Sequence, residues 1–146
     1  MITFNDSQPQ SQPQSQSFNL NLSTSTHVQK FPWYALWQNA LNHSGLVFEL
    51  TTPLPKSEDY GLTSQIRRSS NRIFGNIAEG FGRETKKDKS HFYIISRGSA
   101  FEIQSHLLYG KKVGYFDENK TESLFVEYSE LIHELNKILK SLEWKG

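Results

Sequence analysis

The chain has 146 residues, no cysteine, 16 basic against 15 acidic side chains, and a mean hydropathy of −0.60. That length allows one domain with a real core, and the lack of cysteine excludes a disulfide framework, a thiolate metal site and a cysteine nucleophile. No run approaches the roughly 18 consecutive apolar residues of a membrane span, and no basic-then-apolar leader opens the chain, so a soluble cytoplasmic protein is expected.

The first 30 residues differ from the rest. Residues 7–17 read Ser-Gln-Pro-Gln-Ser-Gln-Pro-Gln-Ser-Gln-Ser, with no apolar side chain. Such a run cannot bury enough surface to offset roughly 1–2 kcal/mol of backbone entropy per residue. Phe18, Leu20, Leu22 and Val28 are too sparse to change this, although Phe18 to Leu22 alternates like a short strand. Residues 1–30 therefore read as a disordered tail, with a segment that orders on a partner as the alternative, and residues 31–146 as the folded domain.

Four helices follow. The first runs from about Pro32 to Thr51, with Trp33, Leu36, Trp37, Ala40, Leu41, Val47, Phe48 and Leu50 at three-to-four spacing, until Pro53 and Pro55 stop it. The second starts between Ser57 and Thr63 and ends by Gly82, its apolar stripe marked by Ile66, Ile73, Ile77 and Phe81. The third opens on Thr85, whose hydroxyl can cap it, with Asp88 in the capping-box position. Phe92, Ile95, Ser99, Ile103, His106 or Leu107, and Tyr109 carry it to about Lys112, and Gly114 is its stop. Asp117 caps the fourth, which carries Leu124, Phe125, Tyr128, Leu131, Ile132, Leu135, Ile138, Leu139 and Leu142. Helices of about 20 residues are roughly 30 Å long. Similar lengths and short connections predict an all-α, antiparallel up-down-up-down four-helix bundle.

The neutral total conceals a division of charge. Residues 1–55 hold one Lys and two acids, 56–112 hold eleven Lys or Arg and six acids, and 113–146 hold four Lys and seven acids. Helices two and three are basic, and helix four is acidic. Arg67, Arg68 and Arg72 lie on helix two, Arg83, Lys86, Lys87 and Lys89 around the following turn, and Arg97 on helix three. Arg68, Arg72, Asn76, Glu79 and Arg83 share one stripe by their spacing. Arginine suits bidentate phosphate contacts, so these residues form a candidate anion surface. The competing reading is a solvated face, or one paired with the acidic fourth helix of a neighbour.

Asn76 and Glu79 border the Ile73–Ile77–Phe81 face, and Ser99 and Glu102 sit at a similar boundary on helix three. An isolated buried carboxylate is costly, so the four are expected to share a structural polar network that orients Arg68 or Arg72. A two-carboxylate hydrolytic site of Glu79 and Glu102 is the sharper alternative, but no metal-ligand pattern surrounds it. Gly75 and Gly80 have phosphate-loop spacing, yet Phe81 stands where the lysine belongs and no strand precedes them. The five histidines show no paired spacing for a metal. Neither a cofactor nor an enzymatic activity is expected.

The stretch from Leu54 to Arg68, followed by Asn76-Ile77-Ala78-Glu79-Gly80-Phe81-Gly82-Arg83, then Phe92, Gly98-Ser99, Glu102 and Gly114-Tyr115, resembles the four helix bundle protein family, also called the intervening-sequence protein or S23 ribosomal protein family. The resemblance spans roughly residues 31–142. It implies an antiparallel bundle that assembles into a homopentamer, in a family some of whose members are encoded within large-subunit ribosomal RNA genes. A distant branch holds the accessory protein of diversity-generating retroelements, which binds a reverse transcriptase and nucleic acid. The resemblance implies no catalytic residues, and Arg67, Arg68, Asn76, Glu79 and Arg83 match positions typical of the family. Many relatives have a small residue at 72 and proline at 74, where this chain has Arg72 and Phe74. That difference should straighten helix two and lengthen its basic stripe.

The expected function is a non-enzymatic homo-oligomer that binds RNA or another nucleic acid through Arg67, Arg68, Arg72, Arg83, Lys86, Lys87, Lys89 and Arg97. The alternative is an interaction scaffold or accessory subunit, for example of a reverse transcriptase, using the same surface.

Overall fold

Proline at 32 and the pair at 53 and 55 bracket a first helix, and the computed structural model, which describes residues 32–143, bears this out. The helices are α1 (Pro32–Thr51), α2 (Leu62–Gly82), α3 (Lys86–Lys112) and α4 (Glu118–Glu143), with a short 3-10 turn at Lys56–Glu58. No strand occurs among the described residues, and the expected tail, residues 1–30, lies outside them. Helix α2 runs unbroken through Phe74, as the missing proline implies.

The helix ends follow from local chemistry. Thr85 Oγ1 accepts from the Asp88 amide at 3.1 Å and donates to Asp88 Oδ2 at 2.8 Å, fixing the start of α3. At the other end Gly114 takes φ +81°, the left-handed conformation that a side chain disfavours. The Tyr115 and Gly114 amides then return to the carbonyls of Gly110 and Lys111 at 2.8 and 3.1 Å, which is the Schellman arrangement. Asp117 Oδ2 accepts from the Lys120 amide at 3.0 Å and caps α4. Glu58 ties the two connections at this end together: it accepts from the Leu62 amide at 3.0 Å and from Tyr115 Oη at 3.1 Å.

The helices pack in cyclic order. The α2–α3 seam is the most extensive and the α1–α4 seam the least, and the α1 backbone lies across the core from that of α3. Small residues let α2 and α3 close: Ser96 Oγ donates to the Ile73 carbonyl at 3.0 Å, and Gly80 lies so near Tyr93 that a methyl group there would overlap its ring. The largest fully enclosed side chains are Ile66, Ile73, Ile77, Ile103, Leu107, Tyr128, Leu135 and Val47.

Five expected apolar positions are placed differently. Tyr93 and Ser96 are buried on α3 where Phe92 and Ile95 were expected, and those two are half-buried. The close α2–α3 approach accounts for both, since Ser96 donates to the Ile73 carbonyl and Gly80 leaves room for the Tyr93 ring. Phe48 and Tyr109 are 57% and 52% exposed. Phe81, also on the surface, stacks on Trp33 with centroids 4.2 Å apart at the end of the bundle.

Candidate nucleic-acid interface

Four residues make just over one helical turn, so Arg68 and Arg72 project from the same side of α2. Arg68 is exposed and has no side-chain partner among the described residues. Arg72 Nη1 lies 4.0 Å from Glu102 Oε2 of α3, both side chains nearly half exposed, which is a loose, solvent-screened pair. The stripe continues through Asn76, whose amide donates to the Arg72 carbonyl at 2.7 Å, to Glu79 and Arg83, paired at 2.6 Å. Arg83 also stacks over Phe92 at 4.6 Å. Beyond it the turn into α3 exposes Lys86 and Lys87. An exposed arginine row thus leads along α2 to a lysine cluster at its end.

The other predicted residues are elsewhere. Arg67 turns toward α1: its Nε donates to Thr51 Oγ1 at 2.8 Å, its Nη2 to the Phe48 carbonyl at 3.3 Å, and its guanidinium lies 4.2 Å over the Phe48 ring. It is a staple between α1 and α2. Lys89 donates to the Phe81 carbonyl at 2.7 Å and so caps the C-terminal end of α2. Arg97 donates to Asn136 Oδ1 at 2.9 Å, which places it at the α3–α4 seam, away from Arg72.

The expected polar network divides. Asn76 and Glu79 bond within α2, while Glu102 reaches Arg72 and lies 3.5 Å from His106 of its own helix. Ser99 faces inward and is buried. Among the described residues the four share no single network, and Glu102 meets Arg72 only in that loose pair. The half exposure of Glu79 and Glu102 removes the need for a buried network, because each carboxylate keeps much of its hydration.

One polar contact has no signal in local sequence. His43, buried on α1, has Nε2 at 2.9 Å from Glu127 Oε2 of α4, and its Nδ1 is sealed without a partner among the described residues. Burial lowers its pKa below 6.5, outweighing the upward pull of Glu127 and Glu130. Three cavities lie along this α1–α4 seam, away from Glu79 and Glu102. Among the described residues, no cluster of three or more His, Asp or Glu side chains has metal-binding geometry, and no helix is long and apolar enough to cross a membrane.

Comparison with known proteins agrees with the fold. The family described as 23S rRNA-intervening sequence protein matches residues 34–137. The chain belongs to that family. A crystal structure of a protein of unknown function from the S23 ribosomal protein family of Bacteroides thetaiotaomicron superposes on this intervening-sequence family member with a TM-score of 0.67 at 20% identity, covering 74% of this chain and 97% of that one. At that identity the likeness speaks for the fold. No curated protein matches.

Proposed function

We propose that this intervening-sequence family member is a non-enzymatic, homo-oligomeric RNA-binding protein of the cytoplasm. The carrying observation is the exposed Arg68, without a side-chain partner among the described residues, one turn from the loosely held Arg72, on a stripe that leads to Arg83, Lys86 and Lys87. Arginines so presented can engage successive phosphates, each contact releasing counterions. Phosphate contacts alone do not choose among nucleic acids; the family's description, 23S rRNA-intervening sequence protein, favours RNA. Of the eight basic residues predicted from sequence, Arg68, Arg72, Arg83, Lys86 and Lys87 belong to the proposed surface. Arg67, Lys89 and Arg97 support the bundle.

The test is titration of a fluorescently labelled RNA across salt concentrations. Affinity should fall steeply with salt, and Arg68→Ala with Arg72→Ala should flatten the log–log slope by about 1.5, for two lost phosphate contacts. Absence of binding at low ionic strength, or an unchanged slope, overturns the proposal. If the double substitution instead disperses the oligomer in light scattering, the scaffold reading gains, with these arginines paired to the acidic α4 of a neighbour.

A further inference from the structure

The outer surface of α3 carries a ridge. Ile94, Phe101 and Leu108 are 49%, 54% and 53% exposed and recur every seven residues, so they line up along one side of the helix. Gly98 and Ser105 lie between them, and nothing stands within 4 Å of where a Gly98 side chain would begin. Large knobs beside small residues let another helix approach closely.

The α1–α4 seam carries the matching hollow. Its three cavities, of ≈ 250, ≈ 590 and ≈ 400 Å³, follow one another along the bundle. The first is walled by Leu36 and Ile138, the second by His43 and Leu131, the third by Leu50 and Leu124. Positions 36, 43 and 50 ascend by seven, and 138, 131 and 124 descend by seven. The cavities therefore repeat at about 10.5 Å, the spacing of the three knobs. Phe101, the bulkiest knob, is the central one, and the middle cavity is the largest.

Charge agrees with shape. Glu49, Glu127, Glu130 and Glu134 line the hollow, against Lys120 and Lys137, the latter paired with Glu134. Arg97 and Lys112 flank the ridge against Glu102. The ridge is an exposed apolar patch that calls for cover, and the hollow, in which Leu36, Leu50, Leu124, Leu131 and Ile138 stand among carboxylates, repeats at the ridge's own spacing.

We infer that the α3 ridge of one copy seats in the α1–α4 hollow of the next, Ile94, Phe101 and Leu108 each entering one cavity. This rests on the oligomeric part of the reading above and specifies its contact. Because ridge and hollow are different patches, the contact is head-to-tail, and each copy keeps one free face until the assembly closes.

The cysteine-free chain makes the test direct. Phe101→Cys and Asn39→Cys, the latter at the edge of the middle cavity, are prepared as separate full-length proteins and oxidised alone and mixed. Disulfide-linked dimers in the mixture, and in neither protein alone, are the expected result. Cross-linking of the Phe101→Cys protein with itself would mean that α3 meets α3, and overturns the inference. So does absence of cross-links while light scattering still reports a multimer, an outcome that leaves the oligomeric reading standing. A wild-type mass of 16.9 kDa at every concentration overturns both. Phe101→Glu, at an exposed position, should reduce the multimer to single chains with an unchanged helical circular dichroism spectrum; a retained multimer overturns the inference. RNA binding by that variant reports separately on the arginine surface.

Discussion

His43 Nε2 and Glu127 Oε2, 84 residues apart in the chain, meet at 2.9 Å across the seam where α1 and α4 touch least. In this geometry Nε2–H donates to the carboxylate, and the enclosed Nδ1 is left as a bare acceptor. Protonation would place an N–H there with nothing to receive it.

That arrangement makes stability depend on pH in a definite direction. The unfolded chain takes up the proton at the ordinary histidine value of 6.5, and the folded chain only below it, because burial lowers the His43 pKa. The contribution is therefore fully present above 6.5 and is lost as pH falls through 6.5 toward the folded value. Thermal melts should show Tm declining from about pH 7 to about pH 5, and His43→Gln should flatten the decline. An identical slope in both proteins would show that other groups cause it.

Arg67 and Arg68 adjoin in sequence yet differ in role. Arg67→Ala removes two hydrogen bonds and a cation–π contact with α1. It should cost about 1–2 kcal/mol in stability with little effect on RNA affinity. Arg68→Ala should leave the melting temperature within a degree or so, in line with an exposed side chain that has no partner among the described residues, and should weaken RNA binding. Paired melting and titration experiments on the two variants check this, and equal effects on both properties would contradict the assignment.

Gly110 and Gly75 offer a contrast between two helical glycines. A methyl group on Gly110 would run into the Phe116 ring, whereas one on Gly75 meets nothing within 4 Å. Alanine is favoured over glycine within a helix by roughly 0.8–1.0 kcal/mol. Gly75→Ala should therefore raise stability by up to about 1 kcal/mol. Gly110→Ala should lower it by about 1–3 kcal/mol, since displacing a buried phenylalanine outweighs the helix gain. Urea denaturation of both variants decides the signs.

Thr85 predicts a smaller loss. Thr85→Ala leaves the Asp88 amide without its hydroxyl acceptor and should destabilise the bundle by about 1 kcal/mol, whereas Thr85→Ser should be close to neutral. A comparable loss in the serine variant would point to the methyl group instead.

The four helices were legible because each combines a periodic apolar stripe with local punctuation: Pro32, Thr85 with Asp88, Gly114, and Asp117. The rotation of α3 was less so. That helix has apolar residues on its buried face and again along Ile94, Phe101 and Leu108, so spacing alone supports more than one inward direction. The choice of Tyr93 and Ser96 follows from the nearness of α2, a tertiary fact. The stripe from Arg68 to Arg83 could be read from four- and three-residue steps. The diversion of Arg67 could not, because it depends on Phe48, 19 residues earlier, lying open beneath it. The His43–Glu127 contact joins the first and last helices, beyond the reach of any local pattern.

The inequality among the seams also grades the motions of the bundle. A small domain opens in parts, and the parts that open first share least surface with the remainder. Helix α1 rests mainly on α2 and only lightly on α4, whereas α2 and α3 are locked by Ser96 against the Ile73 carbonyl and by Gly80 beneath Tyr93. Amide protons of α1 are thus the ones to exchange with solvent through partial opening, and those of α2 and α3 the ones to wait for global unfolding. Departure of α1 would leave the arginine row of α2 on its helix and take away the Phe48 platform that holds Arg67 aside.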